Sequence, residues 1–207
     1  FDGKTIQCRE IHRFDNVPFE EDGVLSWNIE ALLAQTKAAL EKAGRIDSAA
    51  IDTWGIDFGL LDEQGKLLAN PAHYRDRRTQ GLAKQACCTI SASQLYQETG
   101  TQIMDMNTLF QLLAVKSTRP EQWKQARKLL FIPDLLAYQL CQNAVCELSI
   151  ASTSQMMSPT THNWSDAVLD AFGIPHGLLA PLVANGTCIG RLPGGTPLLS
   201  AAGHDTQ

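Results

Sequence analysis

The stretch AIDTWGIDFGLL (residues 50–61) is the part of the sequence that decides the fold class. It is an apolar run followed by the turn-forming residues DEQG (62–65) and a second apolar run, which predicts strand, tight turn and strand. Helical patterns lie on both sides of it. Because strands and helices alternate along the chain, we expect an α/β fold with a mixed sheet and no internal repeat.

Local signals place several helices and strands around this stretch. Asn28 is a good N-cap for apolar positions at helical spacing, and Gly44 is a good stop signal. Asn107 and Ser165 are expected to cap two further helices. The segment KTIQCREIHRF (4–14) alternates loosely, so one or two edge strands are expected there.

Composition limits the classes of function. The chain has 207 residues with 44% hydrophobic and 19% charged residues, as expected for a soluble globular domain. The net charge of -5 argues against nucleic acid as a partner. No apolar run approaches the ~18 residues of a membrane span. The six cysteines show no C-x-x-C spacing, so reduced cytoplasmic thiols are expected.

The quoted stretch carries two carboxylates and a glycine with possible chemical roles. Asp52 and Asp57 are five residues apart, so on one strand they would point to opposite faces and could not act as a pair. Gly55 interrupts the apolar run. A glycine within a strand indicates either a bulge or the close approach of another group, such as a ligand, to the backbone.

Two further groups of polar residues are ambiguous. The loop YRDRRT (74–79) can be a solvated charged loop or the lip of a site for a polar ligand such as a sugar. The polar residues Asn107, Gln111, Thr153 and Gln155 stand beside apolar residues, where they can be helix caps or hydrogen-bonded core groups.

The end of the sequence, SAAGHDTQ, is the strongest candidate site. Small residues and Gly203 end an apolar strand, and Asp205 follows two residues later. Ligands bind at the carboxyl ends of strands in α/β proteins. A carboxylate there can be a helix N-cap or a general base for a substrate hydroxyl. A Ser-His-Asp triad is disfavoured because no G-x-S-x-G occurs, and the adjacent side chains of His204 and Asp205 are expected to diverge.

Six segments in this order resemble the FGGY sugar kinases: IDTWGIDFGLLDEQG, HYRDRRT, QETGTQIMDMNTLFQLLA, LLFIPDLLAYQL, ELSIASTSQM and AAGHDTQ. They cover nearly the whole chain. Within that family, DTWG-x-D and YRD-x-RT resemble the rhamnulose kinases more than the xylulose or glycerol kinases.

The resemblance implies an actin-like ATPase, ribonuclease H-like fold with a mixed sheet flanked by helices. It implies transfer of the γ-phosphate of ATP to the 1-hydroxyl of L-rhamnulose, with Mg²⁺, and oligomeric state is not implied. Asp205 matches the catalytic base, and Gly55, His204 and Thr206 match positions that line the ketose. Four further residues lie in matching motifs and are expected to be neighbours of the ketose rather than contacts: Trp54, Asp57, Arg75 and Asp76.

The resemblance also implies that residues 1–207 form most of an N-terminal, sugar-binding domain. Its first strands, the phosphate hairpin and the C-terminal nucleotide-binding domain are not in this sequence, so no cofactor or metal ligand is expected here and the chain alone is expected to be inactive. Alternatives are a kinase of another ketose, such as L-fuculose or a pentulose, a non-catalytic sugar-binding protein on the same fold, and a hydrolase that uses Asp205.

Overall fold

The computed structural model describes residues 3–205 of the chain. Its strands are short, and the longest lies at the end of the described chain. In chain order they are β1 (Phe19–Glu21), β2 (Val24–Ser26), β3 (Ala49–Thr53), β4 (Phe58–Leu61), β5 (Lys128–Phe131), β6 (Cys146–Glu147), β7 (Met157–Ser158), β8 (Asn163–Trp164), β9 (Leu182–Val183), β10 (Cys188–Arg191) and β11 (Pro197–His204).

Eight α-helices separate these strands within the described residues. They are α1 (Ile29–Ala43), α2 (Leu82–Ala86), α3 (Ala92–Thr99), α4 (Thr108–Thr118), α5 (Pro120–Gln125), α6 (Ile132–Cys141), α7 (Leu148–Ser152) and α8 (Asp166–Phe172). Single 3₁₀ turns form at Arg77–Thr79 and His176–Leu178.

The largest sheet of the described chain is mixed, as predicted. Its order is β10-β11-β3, with β10 antiparallel and β3 parallel to β11. A separate antiparallel pair, β4 and β5, runs through the main core and packs against α6, while the apolar face of α4 belongs to the same core. The parallel pairing brings the carboxyl ends of β3 and β11 to one edge, which is where the candidate site lies.

The predicted helix boundaries are confirmed by their hydrogen bonds. The Asn28 side chain accepts the Ala31 N–H at 2.9 Å, and the Gly44 N–H closes the end of α1 on the carbonyls of the last turn. Ser165 caps α8 by accepting the Val168 N–H. Asn107 holds the N-cap position of α4, but its side chain makes no capping bond because it is used elsewhere.

One predicted element is absent. Residues 5–14 form no strand in the structure, and Ile6 is 80% exposed. The segment has no apolar face that packs against the rest of the protein, because nearly all of its residues are exposed. All six cysteines are free thiols.

Candidate active site

A cleft of ≈ 600 Å³ opens at the carboxyl edge shared by β3 and β11. The segment after β3 forms one wall, the end of α7 and the loop before α4 form another, and the end of β11 closes it. Its lining residues are Trp54, Gly55, Ile56, Tyr74, Gly100, Thr101, Met104, Met106, Asn107, Ser152, Thr153, His204 and Asp205. The predicted residues Gly55, His204 and Asp205 are therefore brought together, whereas Thr206 lies outside the described residues.

The end of β11 reaches the cleft through a bulge. Ser200 is opposite Ile51 and His204 is opposite Thr53, so β11 places three residues where β3 places one. The Asp205 N–H then returns to the Thr53 carbonyl at 2.9 Å. Bulges re-aim side chains beside active sites, and this one directs His204 and Asp205 into the cleft.

The expectation that the His204 and Asp205 side chains diverge is wrong. His204 Nε2 lies 3.8 Å from Asp205 Oδ1. Strict alternation of neighbouring side chains holds in a regular strand, and the bulge interrupts that regularity immediately before these residues. The Asp205 side chain is 49% exposed, so its carboxylate is open to a ligand in the cleft.

Gly55 leaves room for the His204 ring. A Cβ on Gly55 would lie 2.9 Å from His204 Cδ2 and 3.2 Å from Thr153 Cγ2. The two side chains thus occupy the space that a larger residue would fill. The close approach inferred from this glycine exists, and the approaching group is the imidazole of His204 in the cleft wall.

Ile56, the next residue, has a φ of 66°. This left-handed conformation is unfavourable for a β-branched residue and persists only where surrounding groups hold it. The Ile56 N–H donates to Thr153 Oγ1 at 3.2 Å, and its carbonyl accepts the Thr108 hydroxyl at 2.7 Å. The β3 strand therefore breaks at this point.

Asp52 lies exposed on β3, whereas Asp57 is buried, so the two carboxylates are not a pair.

Asp57 organises the wall behind the cleft. Its Oδ2 accepts the indole N–H groups of Trp27 at 2.7 Å and Trp54 at 3.0 Å and the Tyr74 N–H at 3.2 Å, and its Oδ1 accepts Gln111 Nε2 at 2.9 Å. Burial raises the pKa of this carboxyl, while the four donors oppose the rise. Asp57 is therefore a neighbour of the site that orients Trp54.

The loop of residues 74–79 is partly buried rather than fully solvated. Arg78 donates to Gln111 and faces Asp76 at 3.5 Å, and Asp76 also accepts the Leu25 N–H. Arg75 is exposed and stacks over the Tyr74 ring, 5.3 Å from its centroid. Arg75 and Asp76 do not line the cleft. Trp54, which was expected to be a neighbour of the ketose rather than a contact, does line the cleft, and so does Tyr74.

The polar core groups inferred from the sequence are satisfied in the structure. Asn107 donates to Gln155 Oε1 and to the Gln102 carbonyl, both at 2.7 Å, and Gln155 donates to Thr99 Oγ1 at 2.9 Å. These bonds fix the wall that contains Thr101. Asn107 and Thr153 also line the cleft.

Glu147 was not predicted as a site residue from the sequence. This buried residue N-caps α7 and accepts the Gly203 N–H within the bulge of β11 at 3.0 Å. Asp134 lies beside it and is also buried, and burial raises the pKa of Asp134 to about 8. The only available signal was an acidic residue immediately before a short helix, which resembles an ordinary cap.

The described residues provide no metal centre. Among residues 3–205, no three His, Cys, Asp or Glu side chains converge as metal ligands. Within the same residues, no helix combines the length and apolarity needed to cross a bilayer.

The family model for the N-terminal domain of the FGGY family of carbohydrate kinases matches residues 4–201. The chain belongs to this family. It is 36% identical over 211 residues to the rhamnulokinase of Klebsiella pneumoniae subsp. pneumoniae, an alignment that includes 98% of this chain and 43% of that protein. The chain thus spans less than half the length of this relative.

Solved structures of carbohydrate kinases share the fold. A gluconate kinase from Lactobacillus acidophilus superposes with a TM-score of 0.81 at 18% identity, over 91% of this chain and 41% of that one. A glycerol kinase from Plasmodium falciparum, determined with ADP, gives 0.78 at 16% identity, over 91% and 42%. The actin-like, ribonuclease H-like fold class is confirmed. These two kinases have different substrates, so the fold alone does not select the sugar.

Proposed function

We propose that this chain supplies the sugar-binding domain of a cytoplasmic L-rhamnulokinase. The proposed reaction transfers the γ-phosphate of ATP to the 1-hydroxyl of L-rhamnulose. The observation that carries the proposal is the bulged end of β11, which presents a half-exposed Asp205 to a cleft of ≈ 600 Å³ in an FGGY kinase domain. The similarity to a rhamnulokinase supports the choice of sugar.

In this proposal Asp205 is the general base. A sugar hydroxyl is a weak acid, and a carboxylate placed beside it can accept its proton as the oxygen attacks phosphorus. Such a base contributes about 10² to 10⁴ in rate. His204 Nε2 lies 3.8 Å from Asp205 Oδ1, beyond hydrogen-bond distance, and is placed to bond a neighbouring sugar hydroxyl.

The remaining walls suit a deoxy-ketose. Thr101 and Thr153 line one side of the cleft. Their hydroxyls donate to backbone carbonyls in the wall, so toward a sugar their oxygens act as acceptors, and Thr206 is proposed to add another hydroxyl. Met104 and Met106 line the same cleft. Their thioethers form an apolar surface that can contact the methyl group of a 6-deoxy sugar without leaving a polar group unpaired. A sugar with a hydroxyl at that carbon would bury it against sulfur and methylene groups.

Phosphoryl transfer also requires groups that bind the nucleotide. ATP supplies the phosphoryl group, and the resemblance assigns its binding to sequence that these 207 residues do not include. The proposed role of this chain is therefore to bind the ketose, aim its hydroxyl and accept its proton. We expect the 207-residue chain by itself to bind a ketose without phosphorylating it.

Calorimetric titration of the chain with L-rhamnulose, L-fuculose and D-xylulose tests the binding step. We expect L-rhamnulose to bind most tightly. If none of the three ketoses binds, the proposed sugar site is wrong. ADP release by a polypeptide of the relatives' length tests the chemistry. There, Asp205→Asn should lower turnover by about 10² to 10⁴ while ketose affinity stays within about 3-fold. Near-normal turnover would remove Asp205 from the role of base, and binding without turnover in the unsubstituted polypeptide would favour a non-catalytic sugar-binding protein.

A further inference from the structure

The bulge of β11 has an anchor that does not belong to the sheet. Between the paired residues Ser200 and His204, the Gly203 N–H leaves the ladder and donates to Glu147 Oε2 at 3.0 Å. Glu147 lies at the junction of β6 and α7, 56 residues earlier in the chain. We propose that Glu147 is a positioning residue that holds the bulge and thereby aims His204 and Asp205 into the cleft.

A single carboxylate oxygen joins two elements at this anchor. Besides Gly203, Glu147 Oε2 accepts the Ser149 N–H at 2.9 Å, the Ile150 N–H at 3.2 Å and the Ser149 hydroxyl. The first turn of α7 and the bulge of β11 therefore share one acceptor. Because α7 ends at Ser152, beside Thr153, the same carboxylate fixes two walls of the cleft relative to each other.

The anchor is buried, and its acceptor is a carboxylate oxygen. Glu147 is 3% exposed and forms no salt bridge within the described part of the chain, so the partners of its Oε2 there are N–H and O–H groups. Hydrogen bonds to an ionised acceptor are roughly twice as strong as neutral ones. A neutral amide in the same place would keep the geometry and weaken every bond that the oxygen accepts.

The surroundings leave the bulge little freedom to find another position. A Cβ on Gly203 would lie 3.4 Å from both Glu147 Oε2 and Pro133 Cγ, and 3.5 Å from Ile150 Cβ. Asp134 accepts the Glu147 N–H at 3.3 Å through Oδ1, while its Oδ2 has no partner. Burial raises the pKa of Asp134 to about 8.

Glu147→Gln and Glu147→Ala test this assignment, with Ser149→Ala as the matched control. Ser149→Ala removes one donor from the same oxygen and weakens the start of α7, but it leaves the bond to Gly203 intact. All three variants are expected to lower the thermal midpoint. Only the Glu147 variants should accelerate hydrogen exchange of the Gly203 amide and shift the NMR signals of the His204 ring and the Asp205 carboxylate in the sugar-free chain.

The kinetic readout rests on the proposed function. In a polypeptide of the relatives' length, Glu147→Gln should lower kcat about 10- to 100-fold, as expected for a small misplacement of a base, and leave the KM for ATP unchanged. Glu147→Ala should lower kcat further, and Ser149→Ala should leave it near normal. Equal kcat in Glu147→Gln and Ser149→Ala would overturn the positioning role.

The two proposals can fail separately. If the unsubstituted polypeptide phosphorylates no ketose, the proposed function is lost, and the sugar-free NMR signals alone decide the role of Glu147. Unchanged His204 and Asp205 signals in Glu147→Gln would overturn that role, whatever the enzymatic activity.

Discussion

Replacing Asp134 with Asn is expected to change how the stability of the protein depends on pH. Burial raises the pKa of Asp134 from its ordinary value of 3.8 to about 8, while hydrogen bonds from the Cys146 thiol and the Glu147 N–H oppose the rise. At neutral pH the folded protein therefore keeps a proton on Asp134 that the unfolded chain releases. Asparagine has nearly the same shape as the protonated carboxyl and cannot ionise in either state.

The magnitude follows from proton linkage. Between about pH 4 and pH 8 the native state holds one more proton than the unfolded state at this position. The free energy of unfolding consequently falls by about 1.4 kcal/mol for each unit by which the pH rises. From pH 5 to pH 7 the loss from this one group is about 2.7 kcal/mol. Below pH 4 both states are protonated, so the loss is absent there.

Urea unfolding at pH 5, 6 and 7, with the six cysteines kept reduced, measures this difference. Subtracting the parent protein from Asp134→Asn at each pH cancels the titration of the other groups. The variant is expected to gain stability relative to the parent by about 2.7 kcal/mol between pH 5 and pH 7. At pH 5 it should be the less stable of the two, because its buried amide N–H groups lack acceptors.

A non-titrating variant is the control. Ser154 is fully buried and its hydroxyl oxygen accepts the Met156 N–H at 3.0 Å, so Ser154→Ala should lower the stability equally at every pH. Parallel pH profiles for the parent and Asp134→Asn would refute the reasoning. That result would mean that Asp134 is ionised in the folded protein and that its Oδ2 is solvated or paired.

Two substitutions in the segment after β3 test the wall of the cleft. Gly55→Ala should weaken ketose binding at least 10-fold in calorimetric titration, because its Cβ would lie 2.9 Å from the His204 ring. Gly177→Ala is the control, since a Cβ there would meet open space and should leave the affinity unchanged. Equal affinities for the two variants would contradict this packing. Asp57→Asn should destabilise the protein by about 2–3 kcal/mol in urea unfolding and change the Trp54 and Trp27 fluorescence, because an amide cannot accept all four donors. The exposed Asp52→Asn should stay within about 0.5 kcal/mol of the parent protein, and a loss equal to that of Asp57→Asn would argue against the buried network.

The sequence predicted the features that depend on neighbouring residues. The caps at Asn28 and Ser165 and the stop at Gly44 each involve groups within four residues, so the residue type alone indicates the hydrogen bond. The turn at residues 62–65 was predictable for the same reason, but the strand expected after it is reduced to a single bridge between Leu61 and Leu67. The one or two edge strands expected at residues 4–14 were wrong because a strand also requires a partner and a face to bury.

The residues of the candidate site were predicted from the sequence, but the contacts that hold them in place were not. Gly55, His204 and Asp205 were assigned from their motifs, and the structure places them around one cleft. The approach of His204 to Asp205 and the anchor at Glu147 depend on a bulge in the pairing of β11 with β3. No local sequence pattern predicts that bulge, because Glu147, which accepts the Gly203 N–H, is 56 residues distant from Gly203.

The two irregularities at the cleft share one physical cause. β3 stops before the left-handed Ile56, and β11 bulges before His204, so both strands leave the sheet ladder at the same edge. At each break, backbone groups that have no partner in the sheet form hydrogen bonds with side chains instead. Ile56 bonds to Thr108 and Thr153, and Gly203 bonds to Glu147. Because these side chains belong to helices or their ends, the geometry of the cleft is set by how the helices pack against the sheet. A substitution of one of these side chains should therefore alter the position of Asp205 without contacting a ligand. An equally destabilising substitution elsewhere in the core should leave Asp205 in place.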